Sequence, residues 1–442
     1  MKYKMETDTF CKTAAYDSTD SLLRETDLAI MEIVGGKPLE GTITIQGSKN
    51  AALPMMAAAL LSEEASELIG CPDILDVRNT LALLEELGVK TTQIKGRVRI
   101  DAGKICTTEI SEKYANKMRS SIMLLGTLLG RFQLVEITYP GGCVIGKRPI
   151  DMHLDMLHAF GVVITECDGH LRAERKSLRG TIYRFLKKSV GATEHGILTA
   201  VLAEGESIFY NCAQEPEIIS LCTMLVQMGA QIEGSGTSRI LIRGVKKLHG
   251  IQKKVPKDRI AAGTYLLAGA ATRGKVTLDQ APVQEMEAIL YVYGKMGGQY
   301  KVIGGKLLTD SRKVRYPVRN LQTREYPGFP TDLQSPFLAA CLTIPGVSQV
   351  EETIFENRFK VVCQLQKMGG KIWCDNRRAV VWGGVPLKGT HVIAEELRGG
   401  AALVIASLYA SGKTVIENCQ LIQRGYENIC QDLYCLGADI SI

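Results

Sequence analysis

One short phrase constrains the fold of this 442-residue chain more than any other: an apolar residue and a glycine that close a helical stretch and open a β-branched one. It occurs six times, at Leu87-Gly88, Phe160-Gly161, Met228-Gly229, Met296-Gly297, Met368-Gly369 and Leu436-Gly437, with glycine spacings of 73, 68, 68, 72 and 68 residues. Glycine tolerates the left-handed conformation that ends a helix. Six helix stops at a nearly constant period read as a repeat array. Upstream of each marked helix lies a second one, rich in small and apolar residues, within 50–61, 119–130, 191–204, 260–272, 332–343 and 398–410. A helix apolar on most faces must be buried. The unit is therefore helix, strand, helix, strand, with an extra hairpin after several copies. Six copies predict an α/β protein of two similar domains, three repeats in each.

The repeat also singles out equivalent positions. A polar or charged residue opens each buried helix: Lys49, Arg119, Ser189, Asp258, Asp332 and Arg398. Helix N-termini carry unpaired N–H groups and the positive end of the dipole. Ser189 and Asp332 suit capping there, but Lys49 and Arg398 oppose the dipole. Their presence points to anion receptors at helix starts that face a common cleft.

Composition narrows the ligand. The net charge is +6, with neither a long Lys/Arg run nor an RNA-reading aromatic signature, so the excess suits small anions better than nucleic acid. The 13 cysteines are scattered without a C-x-x-C pair, which predicts a reducing, cytoplasmic setting and no disulfide framework. No zinc-type histidine spacing occurs, His153 and His158 do not make a metal site, and no metal or cofactor is expected. No apolar run is long enough to span a bilayer, and residues 1–28 lack the apolar core of a signal peptide.

One loop carries its own chemistry. Residues 138–151 hold three glycines, two prolines, Cys143, Lys147 and Arg148. Glycine allows close backbone approach to an anion, the cations supply charge, and a thiol beside cations has a lowered pKa. On its own the loop is equally consistent with a basic surface turn carrying an incidental cysteine.

Taken together, Gly47-Ser48-Lys49-Asn50, Met118-Arg119-Ser120, Pro140-Gly141-Gly142-Cys143, Arg148-Pro149, Ser189-Val190-Gly191, Glu215-Pro216-Glu217, Pro330-Thr331-Asp332, Phe355-Glu356-Asn357-Arg358, Leu397-Arg398 and Arg424-Gly425-Tyr426-Glu427 resemble the UDP-N-acetylglucosamine enolpyruvyl transferase (1-carboxyvinyltransferase) family. The resemblance runs from about Ile33 to Ile442. It implies two inside-out α/β barrels, one of residues 49–256 and the other of residues 1–48 with 257–442. It also implies transfer of an enolpyruvyl group from phosphoenolpyruvate to the 3′-hydroxyl of UDP-N-acetylglucosamine with release of phosphate, the first committed step of peptidoglycan synthesis.

By the same resemblance, Lys49, Arg119, Arg148, Arg398 and Arg424 hold phosphoenolpyruvate. Cys143 donates a proton to its methylene carbon and is the target of the epoxide fosfomycin, Asp332 is the general base, and Asn50 holds the sugar. The nucleotide sugar lies along Arg148, Pro149, Ile150, Asp151 and Met152 and along Lys187, Lys188, Ser189 and Val190, with Ile354 and Arg358 opposite. Capping for Asp151 and His153, and packing for Ile354, are the structural alternatives. Glu396 stands where the family usually carries Asp. Two other functions remain open: a shikimate-3-phosphate enolpyruvyl transferase, which shares the repeat and the cations, and a non-catalytic nucleotide-sugar-binding paralogue.

Overall fold

The computed structural model describes residues 29–141 and 150–442. All six marker glycines have positive φ, from 86° to 106°. Each follows one of the outer helices Leu75–Glu86, Asp151–Ala159, Pro216–Gln227, Glu287–Lys295, Val361–Lys367 and Ile429–Cys435. The small-residue stretches form the inner helices Lys49–Ala59, Ile122–Leu129, Val190–Ala200, Arg259–Thr272, Gln334–Leu342 and Leu397–Tyr409. Arg259–Thr272 and Gln334–Leu342 are buried at every position.

The described strands form six four-stranded sheets, and five of the copies carry the hairpin. In each sheet the strand after the inner helix is central, as with Ser66–Ile69. On one side it pairs antiparallel with the second arm of a hairpin, here Arg97–Asp101, and on the other it pairs parallel with a short edge strand, here Gln252–Lys254. The last sheet closes the array. Its hairpin positions are filled by Met31–Val34 and Asp439–Ser441 from opposite ends of the described chain.

Buried apolar side chains fall into two clusters, one drawn from residues 51–255 and the other from residues 31–45 and 260–440. Inner helices touch one another within each cluster, and the sheets lie outside them. The helices are therefore the core and the sheets the wall, an inside-out α/β arrangement repeated twice.

The chain passes between the clusters at two points that bind each other. Gly47 and Lys257 form a β-bridge, Ser48 N–H donates to Pro256 O at 2.7 Å, and Asp258 N–H donates to Gln46 O at 3.0 Å. The Asp258 carboxylate caps its own helix through Ile260 and Ala261 N–H and also accepts Lys49 N–H at 3.3 Å. Two inner-helix starts, one from each cluster, are thus hydrogen-bonded together.

Gly47 is needed at this crossing because a Cβ there would sit 2.0 Å from Gly70 O. Gly47→Ala is expected to lower stability by about 1–3 kcal/mol, the usual range for overpacking. Gly294, on the outer helix Glu287–Lys295, has open space where a Cβ would be. Gly294→Ala should raise stability by ~0.5–1 kcal/mol through helix propensity. Urea unfolding of both variants checks the pair, and equal behaviour would contradict the crossing geometry.

Candidate active site

The inner-helix starts gather the charged residues. Lys49 is the first residue of its helix, capped by the Ser48 hydroxyl, which accepts Ala51 N–H. Arg398 is the second residue of Leu397–Tyr409, capped by Glu396, whose carboxylate accepts the N–H groups of Arg398 and Gly399. Arg119 and Asp332 lie in 3₁₀ turns, Arg119–Ser121 and Thr331–Leu333, that precede their helices. Asp332 therefore does not cap. The capping residues are Ser48, Ser189, Asp258 and Glu396.

Freed from capping, Asp332 holds two guanidiniums. Its Oδ1 is 2.5 Å from an Arg358 nitrogen and its Oδ2 is 3.0 Å from an Arg398 nitrogen. Both arginines are almost completely buried, while the Asp332 side chain keeps a quarter of its surface. Burial alone would raise the Asp332 pKa. The charges of Arg398, Arg358 and Lys49 outweigh it and hold the carboxyl well below the ordinary carboxylate range. Arg398 also donates to Tyr426 Oη at 3.2 Å and lies over that ring. Burial disfavours its charge, but Asp332, Tyr426 and Asp258 win, and its pKa is raised. Arg358 lies over the Phe355 ring, with Glu396 3.8 Å away.

The second centre is Asp76, in the first turn of Leu75–Glu86. Lys49 Nζ is 2.6 Å from its Oδ2, and Arg424 Nε is 2.8 Å from its Oδ1. Asp76 is 3% exposed. Burial pushes its pKa up, but Lys49 and Arg424 prevail and lower it. Arg424 also donates to Lys117 O at 3.2 Å. Lys49 thus acts on two carboxylates, by contact on Asp76 and through its field on Asp332.

Of the sequence-predicted residues, the structure brings Lys49, Arg424, Asp332, Arg358 and Arg398 into these two linked centres. The cations at the helix starts are not left facing one another: Asp76 and Asp332 balance them. Asn50 follows Lys49, half-buried. Arg119 donates to Pro140 O at 3.3 Å. Ile150 and Met152 are buried, Asp151 is exposed in the first turn of Asp151–Ala159, and none of the three caps through a side chain. Lys187 is exposed, Lys188 donates to Gln214 Oε1 at 3.0 Å, Ser189 caps Val190–Ala200 and Val190 is half-buried. Ile354 is half-buried, its N–H held by Glu352 Oε1 at 2.8 Å. Cys143, Arg148 and Pro149 lie outside the described residues.

Sequence reasoning missed Asp76 and the part played by Tyr426. An acid in the first turn of an amphipathic helix reads as ordinary dipole compensation. Its partner Arg424 stands 348 positions away. Among the described residues no group of His, Cys, Asp or Glu side chains is arranged to hold a metal ion, no helix is long and apolar enough to cross a membrane, and the cysteines are free thiols.

The profile of the EPSP synthase (3-phosphoshikimate 1-carboxyvinyltransferase) family matches residues 33–433. The chain is 42% identical over 409 residues to UDP-N-acetylglucosamine 1-carboxyvinyltransferase 2 of Caldanaerobacter subterraneus subsp. tengcongensis, covering 92% of this chain and 98% of that one. It is 42% identical over 424 residues to UDP-N-acetylglucosamine 1-carboxyvinyltransferase 1 of Legionella pneumophila, covering 93% of this chain and 82% of that one. The enolpyruvyl transferase NikO from Streptomyces tendae has the same fold, with a TM-score of 0.85 over 93% of this chain and 98% of its own at 22% identity. The chain belongs to the EPSP synthase family of carboxyvinyltransferases, and within it groups with the UDP-N-acetylglucosamine 1-carboxyvinyltransferases. The expected family and repeat fold are met.

The Asp332 pairing has a signed consequence for stability. A carboxylate whose folded pKa lies below its unfolded value binds fewer protons when folded. Its contribution is complete above the unfolded value, near 3.8, and is lost as pH falls through the folded value. Asp332→Asn leaves Arg398 without a carboxylate partner and Arg358 with only Glu396 at 3.8 Å, so it should destabilise at pH 7 by an amount at the low end of the ~3–5 kcal/mol range for broken buried pairs. That gap should narrow as pH drops below about 4. Denaturant unfolding of both proteins at pH 7 and pH 3 checks this, and a constant gap would contradict it.

Proposed function

We infer that the protein is an enolpyruvyl transferase that joins phosphoenolpyruvate to the 3′-hydroxyl of UDP-N-acetylglucosamine and releases phosphate, the first committed step of peptidoglycan synthesis, in the cytoplasm. The observation that carries this reading is an ionised Asp332 held between Arg358 and Arg398, within the field of Lys49. The 42% identity to enzymes named for that acceptor supports the choice of sugar. The two working units are residues 1–48 with 257–442 and residues 49–256, a division supported by the two apolar clusters.

The chemistry asks for charge, an acid and a base. Phosphoenolpyruvate brings a phosphate and a carboxylate, which Lys49, Arg119, Arg148, Arg398 and Arg424 neutralise. Cys143 gives a proton to the methylene carbon, leaving positive charge at the adjacent carbon. The sugar hydroxyl attacks that carbon and its proton passes to Asp332, forming a tetrahedral adduct. The Cys143 thiolate then takes a proton back from the methyl group, which re-forms the double bond as the C–O bond to phosphate breaks and phosphate leaves. Asp332 is a weak base between its guanidiniums, but a hydroxyl adding to a cationic carbon becomes strongly acidic, so a weak base suffices. Arg398 and the cations beside it stabilise charge where it develops. Arg358, buried and committed to Asp332, serves best by orienting that carboxylate. Asn50 holds the sugar. The nucleotide lies along Arg148, Pro149, Ile150, Asp151, Met152, Lys187, Lys188, Ser189 and Val190, with Ile354 closing over it.

Phosphate release from phosphoenolpyruvate, measured with UDP-N-acetylglucosamine and with shikimate 3-phosphate, tests the reading. Turnover with the nucleotide sugar alone is expected. Turnover only with shikimate 3-phosphate would move the protein to the other acceptor, and tight sugar binding without any release would make it a binding protein. Asp332→Asn should bind both substrates and lose ~10²–10⁴-fold in rate. Intact-mass measurement should show a fosfomycin adduct that Cys143→Ala abolishes. An adduct that persists in Cys143→Ala would reassign the thiol.

A further inference from the structure

The turn that carries Arg424 to Asp76 also reaches the other carboxylate centre. Tyr426 follows the 3₁₀ turn Cys419–Arg424 and is buried. Its Oη accepts from Arg398 Nη1 at 3.2 Å. The residues on either side of it are clamped from the chain crossing. The Gln46 side chain donates to Gly425 O at 3.0 Å and accepts Glu427 N–H at 2.8 Å, so both halves of its amide are used. The Tyr265 ring meets the Tyr426 ring edge-on, with 6.5 Å between centroids and 81° between planes. Backbone and ring of Tyr426 are thus both held in place.

The hydroxyl protons are held in place as well. Tyr426 Oη lies 2.7 Å from Thr264 Oγ1, on the inner helix Arg259–Thr272, and the threonine is as buried as the tyrosine. Thr264 Oγ1 is also 2.9 Å from Ile260 O. A carbonyl only accepts, so the Thr264 proton points at Ile260 O. A guanidinium only donates, so Tyr426 Oη accepts from Arg398. The Tyr426 proton then goes to Thr264 Oγ1. The reverse order would leave a buried phenol proton without an acceptor among the described residues, which is costly. Burial raises the Tyr426 pKa against the pull of Arg398 and of the Thr264 bond, so the phenol keeps its proton. A one-way chain therefore runs from Arg398 through Tyr426 and Thr264 to Ile260 O.

Arg398 has two kinds of partner. Its Nη2 binds Asp332, an anion, and its Nη1 binds Tyr426, a neutral oxygen. In the reaction proposed above, Asp332 takes the proton of the sugar hydroxyl and loses its charge. Its bond to Arg398 weakens at that step, because a bond to a neutral acceptor is weaker than one to a carboxylate. The Tyr426 oxygen undergoes no such change. We propose that Tyr426 is a positioning residue for the chemical step: with its proton committed to Thr264, its oxygen keeps the Arg398 guanidinium aimed at phosphoenolpyruvate while Asp332 is neutralised. The proposal rests on the functional reading above. Tyr426 acts through Arg398, so its effect belongs to turnover and not to binding of the sugar.

Tyr426→Phe keeps the ring and removes the oxygen. It should lower kcat ~10–100-fold, the loss of one hydrogen bond to a charged group, and leave KM for UDP-N-acetylglucosamine within about twofold. Thr264→Val strands the phenol proton and should lower kcat about tenfold, whereas Thr264→Ser still accepts that proton and should stay within about threefold of wild type. Added to Tyr426→Phe, Thr264→Val should cost no further kcat, because the proton it strands is already gone. An unchanged kcat in Tyr426→Phe, a sugar KM that rises as far as kcat falls, or equal damage by Thr264→Val and Thr264→Ser would overturn the proposal. So would losses of kcat that multiply in the double variant. Should the variants fail to fold, a crystal structure of the wild-type protein with phosphoenolpyruvate bound decides it. Arg398 must touch phosphoenolpyruvate with Nη1 still within hydrogen-bonding distance of Tyr426 Oη, and an Arg398 released from Tyr426 would overturn it. A wild-type protein that releases no phosphate with UDP-N-acetylglucosamine would mark failure of the functional reading. The coupling of Thr264→Val with Tyr426→Phe in urea unfolding would then still judge the hydrogen-bond chain, and additive losses of stability would overturn it.

Discussion

The site depends on one lysine acting on two carboxylates. Lys49 touches Asp76 at 2.6 Å and lowers the pKa of Asp332 through its field. Asp76 also binds Arg424, from the other end of the chain, and Asp332 binds Arg358 and Arg398. Asp76, Arg358 and Arg398 are nearly removed from water, where an unpaired charge is costly. Pairing makes their burial tolerable, and it leaves each carboxylate ionised. A bound dianion can take over the role that Asp76 plays toward Lys49 and Arg424. On the function proposed above, these pairs would keep the cations in place until substrate arrives.

The fold puts these charges within reach of one another through its repeat. Inner helices buried along their length must end where the chain turns outward, and their starts are the natural places for polar side chains. The two chain crossings join one cluster's helix start to the other's: Asp258 caps its own helix and accepts Lys49 N–H. Buried Arg259 and Glu217, 3.3 Å apart, and Glu215, which accepts Tyr326 N–H, make further links between the clusters. The wall of sheets is generic, whereas the crossings and helix starts are specific to the site.

Periodicity made the fold legible. The marker glycines, the inner helices and four of the six polar helix starts stand where spacing and hydrophobicity indicate, while Arg119 and Asp332 lie in 3₁₀ turns just ahead of their helices. Pairings were not legible, because a period reports which residues are buried and not which ones meet. Asp76 and Arg424 are 348 positions apart, and Asp332 and Arg398 are 66 apart. Asp332 looked like a cap until the 3₁₀ turn Thr331–Leu333 took it out of that position. Glu396 drew notice as a departure from the family. Its longer side chain reaches the N–H groups of Arg398 and Gly399 and fixes the helix that carries Arg398.

The exchange of partners at Lys49 can be seen directly. A crystal structure of the Asp332→Asn protein with phosphoenolpyruvate and UDP-N-acetylglucosamine bound would show it. The account predicts that Lys49 Nζ has moved from Asp76 to an oxygen of phosphoenolpyruvate, with the side chain at position 332 within hydrogen-bonding distance of the sugar 3′-hydroxyl. Lys49 still bound to Asp76, with no cation from the second cluster touching phosphoenolpyruvate, would contradict it.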